Sequence, residues 1–507
     1  AKKLSKITYL VNDSFDTEGG AGFGESEDVF SPAGTNINAG TNFMLNTHGF
    51  IGYFKGKEET PYKLTVTHPE TLLGVSAMID TDASATSDVF LMSKYASLVE
   101  MPIMYSKPDF TSVMVDGMEI IISVYSPTGK YTAKQITPHM ENMMKAQKRF
   151  LGPINSTKKY AILLYLSDMA AKDAKGFGAL EHPTSTVVVM PEMMGLEMLQ
   201  EQLKDVVSHE FFHIVTPLTI HSNEIQYFDF NNPQMSEHLW MYEGVTEYFA
   251  NLFQVNQGLI DEKEFFERMA GKIAQSRQMN DNMSFTKMSK NVLNPPYKEQ
   301  YLNVYQKGAL IAMCMDILIR ENSNGQKGIL SLMQELSKEY GTTKAFKDEE
   351  LFDKITALTY PAVGEFLKNH VAGETPIPYE QYFAKMGVTE ATIEIAGNPF
   401  LKGQTQPYIT VNPATKEIMI LPDTELNVFM TTLGLKNNDT LLAFNGKDYN
   451  LDNIYDLIMA SINWKDGDAM TVKFKRDGKE QTVKGKVVMP KEKQDGYQAT
   501  DDTKKTV

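Results

Sequence analysis

The first 135 residues contain short runs in which apolar and polar positions alternate, with turn residues between the runs. Runs such as KITYLV and YKLTVT have the two-residue period of β-strands, and MEIIISVY is an apolar run of strand length. A Gly-rich acidic stretch, residues 16–28, follows the first of them and indicates a loop. The pattern predicts an N-terminal β-rich domain at residues 1–136.

After residue 136 the apolar positions recur every three to four residues, which is the period of an amphipathic helix. Two strand patterns, at 160–167 and 185–191, precede most of the helical ones. The long helical patterns cover 195–216, 237–256, 261–277, 303–321 and 327–340. This part of the chain is therefore predicted to be a mostly helical domain at residues 137–382.

Short strand patterns return after residue 385, together with one helical pattern at 451–463. We place a third, β-rich domain at residues 383–490. Residues 491–507 are polar and charged, so we expect them to form a tail. The chain is thus predicted to be a multidomain α+β protein.

Composition and charge exclude several classes of function. The formal net charge is −15, and an acidic chain offers no basic face for a nucleic acid. The single cysteine, Cys314, lies in an apolar run and can form neither an internal disulfide nor a cysteine metal cluster. No apolar run is long enough to span a bilayer. Because the chain starts at Ala1 rather than Met, we expect a bacterial protein exported to the periplasm or medium.

The histidines concentrate in one segment, and two of them have the spacing of metal ligands. Five of the nine lie between residues 182 and 238. His209 and His213 are four residues apart, so on a helix their side chains lie on the same face. Two imidazoles at this spacing can hold one Zn²⁺. Glu210 would lie beside the metal without binding it, which is the position of a general base.

A catalytic zinc also needs a third protein ligand and an open position for water. The helical pattern at 237–256 offers Glu237, His238, Glu243 and Glu247. We select Glu243, and we expect Glu247, one turn later, to accept the free N–H of a ligand histidine. The spacing alone leaves the other candidates open.

A metzincin site is excluded by the residues that follow the motif. That pattern would place Gly three residues and His six residues after His213. These positions hold Thr216 and Thr219, and His221 lies two residues too far along the chain.

Four motifs, HEFFH, WMYEGVTEYF, GALEH and VYQKG, together resemble those of the glycyl aminopeptidase family. Members of this family are gluzincin metallopeptidases with an N-terminal β domain, a thermolysin-like catalytic domain and a C-terminal PDZ domain. The motifs cover about residues 180–310, and the order of the domains extends the resemblance to nearly the whole chain. The resemblance implies that Glu243 is the third ligand of one Zn²⁺ per chain.

The resemblance also implies the residues that contact the substrate. The G-x-L-E-H motif falls on Gly178, Ala179 and Glu181, and it implies that Glu181 binds the free α-amino group of a peptide. The Y-x-K-G motif implies that Tyr305 donates a hydrogen bond to the oxyanion. From sequence alone Tyr301 remains its rival. The thirty residues from His213 to Glu243 leave room for a loop over the active site.

The stretch GLKNNDTLLAFNGKDYN resembles the PDZ pattern G-L-x-x-G-D-x-I-x-x-I-N-G. Asp439, Asn445 and Gly446 match this pattern, and Asn438 stands where the usual glycine would be. The resemblance implies a PDZ-like domain that captures a peptide or protein ligand by strand addition. The carboxylate-binding loop of such domains has no obvious counterpart here, so the domain could instead act only as a packing partner.

Together these features predict a zinc aminopeptidase that releases small N-terminal residues, Gly or Ala, from peptides with a free N-terminus. Glu210 would take a proton from the attacking water, and Tyr305 would stabilise the oxyanion. Two alternatives stay open. One is a zinc endopeptidase with an open cleft, and the other is a catalytically inert PDZ protein that binds peptides.

Overall fold

The computed structural model describes residues 4–15, 30–152, 154, 157–169, 171, 173–403, 406–462 and 464–501. The chain divides into two compact units. The first consists of residues 1–193, 199–388 and 499–507, and the second of residues 194–198 and 389–498. The predicted loop at 16–28 lies outside the described residues.

The first unit combines short strands with a large set of helices. Its strands are β1 (Asn36–Asn38), β2 (Asn42–Leu45), β3 (Tyr62–Thr67), β4 (Leu73–Val75), β5 (Ser87–Met92), β6 (Ile103–Ser106), β7 (Phe110–Val115), β8 (Met118–Tyr125), β9 (Lys159–Ser167), β10 (Gly178–His182) and β11 (Ser185–Pro191). Its helices are α1 (Tyr95–Val99), α2 (Ala133–Leu151), α3 (Leu196–Phe212), α4 (Asn223–Gln226), α5 (Thr246–Asn256), α6 (Glu262–Arg277), α7 (Phe285–Asn291), α8 (Asn303–Asn322), α9 (Ile329–Glu339), α10 (Leu351–Leu358), α11 (Pro361–Phe366) and α12 (Tyr379–Lys385).

The N-terminal part of this unit is a β region, as the alternating pattern predicts, although residues 6–11, the run KITYLV, form no strand. A four-stranded sheet has the order β1-β2-β6-β4, and β3 pairs with β5. Apolar side chains from these strands, including Phe90, Ile103 and Tyr105, bury a common core. The prediction of an N-terminal β domain is therefore confirmed.

A second sheet, with the order β10-β11-β9-β8-β7, joins the β region to the helical part. Strands β8 and β9 are parallel and are connected by α2, because parallel neighbours need a long crossover. The predicted domain boundary at 136/137 falls inside this crossover and is wrong. The pairing of β8 with β9 is long-range, so the local pattern does not reveal it. Strand β10 forms one edge of the sheet.

The helices pack around α8, which is buried along most of its length. It contacts α5, α6, α9, α11, α12 and a π-helical turn at Trp240–Val245. Cys314 is fully buried in α8, and burial raises the pKa of its thiol well above the usual value. The mostly helical domain is therefore confirmed. None of the described helices combines the length and apolar character that crossing a bilayer requires.

The second unit is built mainly from antiparallel strands. Its strands are β12 (Val388–Ala396), β13 (Leu401–Lys402), β14 (Gln406–Pro407), β15 (Ile409–Val411), β16 (Ile418–Ile420), β17 (Thr440–Phe444), β18 (Lys447–Asp448), β19 (Ala469–Arg476), β20 (Lys479–Lys486) and β21 (Lys491–Ala499), and its helices are α13 (Val428–Thr432) and α14 (Ile454–Ile462). The main sheet has the order β15-β16-β17-β19-β20, and β18 pairs with β17.

Two details of this unit concern the sequence predictions. The Asn445–Gly446 pair has positive φ angles of 49° and 82° and forms the turn between β17 and β18, as an Asn-Gly pair favours. Residues 491–499 form β21 and pair with β12, so the tail predicted from residue 491 is wrong there. The sequence pattern does not reveal this strand because most of its side chains are exposed and polar. Tyr497 is one of only two residues of β21 that are buried.

Candidate metal centre and its cleft

The motif histidines lie at the end of α3. Buried Leu199, Leu203 and Val207 form the apolar stripe that packs this helix against the core. The helix ends at Phe212, four residues earlier than the pattern predicts, and His213 lies in the turn that follows. His213 Nδ1 lies 3.1 Å from the carbonyl oxygen of Thr216, so its Nε2 is left for the cleft.

Glu243 meets both histidines. Its Oε2 lies 3.2 Å from His209 Nε2 and 3.7 Å from His213 Nε2. One ligand atom from each of the three residues lies within 4.8 Å of the others. Burial opposes ionisation of Glu243, but the charge of His213 and the hydrogen bond from His209 outweigh it and lower the pKa of this carboxyl. These three residues can hold one metal ion.

A close helix crossing places Glu243. It lies in the π-helical turn Trp240–Val245, which crosses α8 where Gly244 meets Gly308. A Cβ added to Gly308 would lie 2.9 Å from the Cα of Gly244, and one added to Gly244 would overlap the backbone of Gly308. Only glycine at both positions permits this approach. The close crossing brings Glu243 towards Tyr305 on α8.

The rival ligands on this segment have other partners. Trp240 Nε1 donates to His238 Nδ1 over 3.1 Å, so His238 Nε2 carries the proton and donates to the carbonyl of Asp348 over 2.9 Å. The backbone N–H of Glu237 also donates to the Asp348 carboxylate, over 2.7 Å. His238 thus holds the segment in place, and neither it nor Glu237 belongs to a metal-competent group of the described residues.

A chain of charged groups supports His209. Its Nδ1 lies 2.8 Å from Glu247 Oε2, and Glu247 Oε1 accepts from Lys272 Nζ over 2.6 Å. Burial opposes ionisation of Glu247, but the charge of Lys272 and the hydrogen bond from His209 lower its pKa far below the usual range. An ionised Glu247 accepts the Nδ1 proton of His209, so Nε2, which faces Glu243, is the nitrogen that a metal would bind. Sequence reasoning missed Lys272, which lies on α6 with no motif around it.

Two further carboxylates, Glu181 and Glu210, face His213. One atom from each of the three residues lies within 4.8 Å of the others. Burial raises the pKa of both carboxyls, and their mutual repulsion adds to the shift of Glu210. Within the described part of the chain, neither forms an ion pair with Lys or Arg, and Glu210 Oε2 has no hydrogen-bond partner. The pair is suited to receive a cationic group from a bound molecule.

Both candidate tyrosines line the same cavity. The hydroxyls of Tyr301 and Tyr305 lie 3.3 Å apart, and the ring of Tyr305 lies 5.6 Å from that of His209. Burial raises the pKa of both phenols, with the charge of Glu243 adding to the shift. Each phenol therefore stays protonated at neutral pH and can donate a hydrogen bond.

These residues line a cleft of about 850 Å³. Gly178 and Ala179 of β10 line it on one side, together with Phe30. Gly178 has a φ of 143°, and a Cβ there would lie 2.8 Å from the ring of Phe30. Phe30 was not among the predicted site residues, because nothing local distinguishes it from other apolar positions.

The segment between His213 and Glu243 does not cover this cleft. Residues of this segment, including Ile214, Pro217 and Phe230, instead line a second cavity of about 930 Å³. None of the described residues from 214 to 242 lines the metal-centre cleft. The residues for which the spacing leaves room therefore lie at this second cavity.

Two family models match the chain. The model of the M61 glycyl aminopeptidase matches residues 202–311, and that of the peptidase M61 N-terminal domain matches residues 1–107. The first match contains the two histidines, Glu210, Glu243 and both tyrosines. Both models are those of the M61 glycyl aminopeptidase family, so they support the resemblance that the motifs carry. The chain is a metallopeptidase, as the motifs predict.

This chain shares its fold with a solved structure. It is similar to an aminopeptidase N family protein from Idiomarina loihiensis, with 18% identity, coverage of 92% of this chain and 82% of that chain, and a TM-score of 0.63. An M1 zinc metallopeptidase from Deinococcus radiodurans is more distant, with 12% identity, coverage of 68% and 72%, and a TM-score of 0.45. A comparison with curated proteins finds no match.

Proposed function

We propose that this protein is a zinc aminopeptidase that removes one small residue, Gly or Ala, from the N-terminus of peptides. The convergence of His209, His213 and Glu243 within 4.8 Å in a cleft carries the proposal. Two imidazoles and one carboxylate form the ligand set of a catalytic zinc site that keeps a position open.

The protein environment fits a bound metal. Glu247 fixes the tautomer of His209, and the carbonyl of Thr216 orients His213, so both Nε2 atoms face the same point. Zn²⁺ bound there would supply a Lewis acid that polarises a water molecule and the scissile carbonyl.

Glu210 is the proposed general base. Its unpartnered, buried oxygen can accept a proton from the attacking water and later deliver it to the leaving amine. Tyr305 donates a hydrogen bond to the developing oxyanion, with Tyr301 hydrogen-bonded behind it. A neutral phenol suits this role because it places no permanent charge in the site.

Glu181 is the proposed anchor of the substrate's α-ammonium group. Half-buried Glu181 and buried Glu210 form a carboxylate pair without a Lys or Arg partner among the described residues, and an α-ammonium would supply the missing cation. Such an anchor fixes where the peptide is cut, so one residue is released per event. Phe30 fills the space beside Gly178, which supports a small first residue.

We also propose that the second unit is PDZ-like and binds the C-terminus of a peptide or protein. Its antiparallel sheet has two edge strands, β15 and β20, at which a peptide strand could add. Asn438 adopts a φ of 67°, a conformation that asparagine tolerates in place of glycine. Fluorescence anisotropy on the full-chain Glu210→Gln variant tests this with labelled peptides. Saturable binding of free but not amidated C-termini is expected, and no binding of either would leave a packing role.

The aminopeptidase activity is tested with glycyl- and alanyl-p-nitroanilide, before and after treatment with a chelator. Hydrolysis that the chelator abolishes and added Zn²⁺ restores is the expected result. Hydrolysis that survives complete metal removal would overturn the metal centre. No hydrolysis of any amide or peptide with Zn²⁺ present would favour the inert, peptide-binding alternative.

A further inference from the structure

Two chemically different sets of residues line the metal-centre cleft. The first set, from β10 and Phe30, includes the proposed ammonium site at Glu181, which groups with Glu210 and His213. The second set comes from α3, α5 and one face of α6, and its Glu247 contacts both His209 Nδ1 and Lys272. If Glu181 holds the first residue, the rest of the peptide extends past the metal centre, and the α6 face is a part of the lining that can receive it.

The α6 residues that line the cleft form a regular helical face. Arg268, Gly271, Lys272 and Gln275 lie at positions i, i+3, i+4 and i+7, so they face the same side. Gly271 lies in the interior of α6, where glycine destabilises a helix relative to alanine. A Cβ added there would meet nothing within 4 Å, so packing within the protein does not require glycine. The missing side chain leaves the floor of the cleft open at this point.

The charged groups beside Gly271 are already paired. Arg268 forms ion pairs with Asp205 at 3.1 Å and Glu264 at 2.7 Å, and it also donates to Asn251. Lys272 pairs with Glu247 at 2.6 Å. The α6 face therefore offers fixed polar groups but little uncompensated charge. Such a surface suits hydrogen bonding to a peptide backbone more than selection of a charged side chain.

We infer that the α6 face around Gly271 is a binding site for the residues downstream of the scissile bond, so that the substrates are extended peptides rather than dipeptides. The inference rests on the proposed function, because Glu181 sets the direction of the peptide. It adds a site that neither the motifs nor the family models assign. Substrate preference at this site would depend on the length of the peptide and on the open space beside Gly271.

The test measures kcat/KM for alanine peptides of two to six residues with amidated C-termini. The wild-type value is expected to rise roughly tenfold or more from the dipeptide to the tetrapeptide, because added backbone contacts are made in the cleft. The variant Gly271→Leu fills the space above α6, so the ratio of the hexapeptide value to the dipeptide value should fall towards one. Gly271→Ala should give an intermediate ratio and a higher melting temperature.

Ala274→Leu is the matched control, because Ala274 is exposed on α6 and does not line the cleft. It should keep the wild-type ratio. A wild-type rate that does not depend on length, or a Gly271→Leu variant that keeps the wild-type ratio while melting normally, would overturn the inference. Failure of the wild type to cleave any free peptide would instead reject the aminopeptidase function, so the two failures are distinguishable.

Discussion

Glu247 on α5 contacts both His209 on α3 and Lys272 on α6. His209 Nδ1 lies 2.8 Å from Glu247 Oε2, and Lys272 Nζ lies 2.6 Å from Glu247 Oε1. The lysine keeps the carboxylate ionised and fixed in orientation, and the carboxylate accepts the Nδ1 proton of His209, so that Nε2 is the nitrogen that faces Glu243. Replacing a residue that hydrogen-bonds to a metal ligand commonly lowers the affinity of the protein for the metal by one to two orders of magnitude.

We predict that Lys272→Met weakens zinc binding by about tenfold, and Glu247→Gln by about 10–100-fold. Competition with a fluorescent chelator measures the affinity directly. Lys263→Met is the matched control, because Lys263 lies on the same helix, is 62% exposed and pairs with Glu267 at the surface. Zinc affinity of Lys272→Met equal to that of the control would contradict a role for this lysine in holding the metal.

The contact between Gly244 and Gly308 predicts a coupled loss of stability and metal binding. Gly244→Ala forces a Cβ into the backbone of Gly308, so the π-helical turn must move and carry Glu243 with it. We expect a loss of about 2–3 kcal/mol in the free energy of unfolding, typical of overpacking in a rigid core. Denaturant unfolding measures the free energy, and zinc titration measures the metal affinity. If neither quantity changes in the variant, the helix crossing is not constrained by the two glycines.

The two tyrosines differ in their proposed roles. Tyr305→Phe should lower kcat by about 10²–10³-fold with little change in KM, because the hydrogen bond to the oxyanion forms in the transition state. Tyr301→Phe removes only the partner hydroxyl 3.3 Å away and should cost less. Steady-state kinetics on both variants with one peptide distinguishes them. A larger kcat loss for Tyr301→Phe would transfer the role to Tyr301.

Stability should depend on pH through Glu100. Burial raises the pKa of this carboxyl from 4.5 to about 7, opposed by the charge of Lys94 and assisted by that of Glu181. Because the folded pKa lies above the unfolded one, the folded state binds the proton more tightly. The contribution is fully present below pH 4.5 and is lost as pH rises through 7.

We therefore predict that Glu100→Gln is more stable than the wild type at pH 8, by up to about 3 kcal/mol, and that the difference disappears near pH 4.5. Melting curves of both proteins across this range measure the difference. A difference that is the same at every pH would show that Glu100 titrates normally.

The sequence predicts the parts of this protein that depend on local patterns. The pair His209 and His213 follows from helix periodicity, and the turn at Asn445 follows from the local chemistry of an Asn-Gly pair. Glu243 is different, because several residues on its segment have suitable chemistry. The family resemblance selected it, and the structure supplies the physical reason in the crossing at Gly244.

The features that the sequence does not predict depend on long-range contacts. Lys272 on α6 contacts Glu247 on α5. Phe30 lies beside Gly178, although almost 150 residues separate them in the sequence. The misplaced boundary at 136/137 has the same cause, since only the pairing of β8 with β9 shows that the crossover belongs to one unit. Strand β21 was missed because backbone pairing needs no apolar pattern.

The most direct test of the account is the rate and metal content of Glu210→Gln with an unblocked alanine peptide. The glutamine keeps the size of the side chain but cannot accept the proton, so kcat should fall by about two to four orders of magnitude while one Zn²⁺ per chain stays bound. Elemental analysis of the assayed sample gives the metal content. Full zinc occupancy with wild-type kcat would contradict the assignment of Glu210 as the base beside the metal centre.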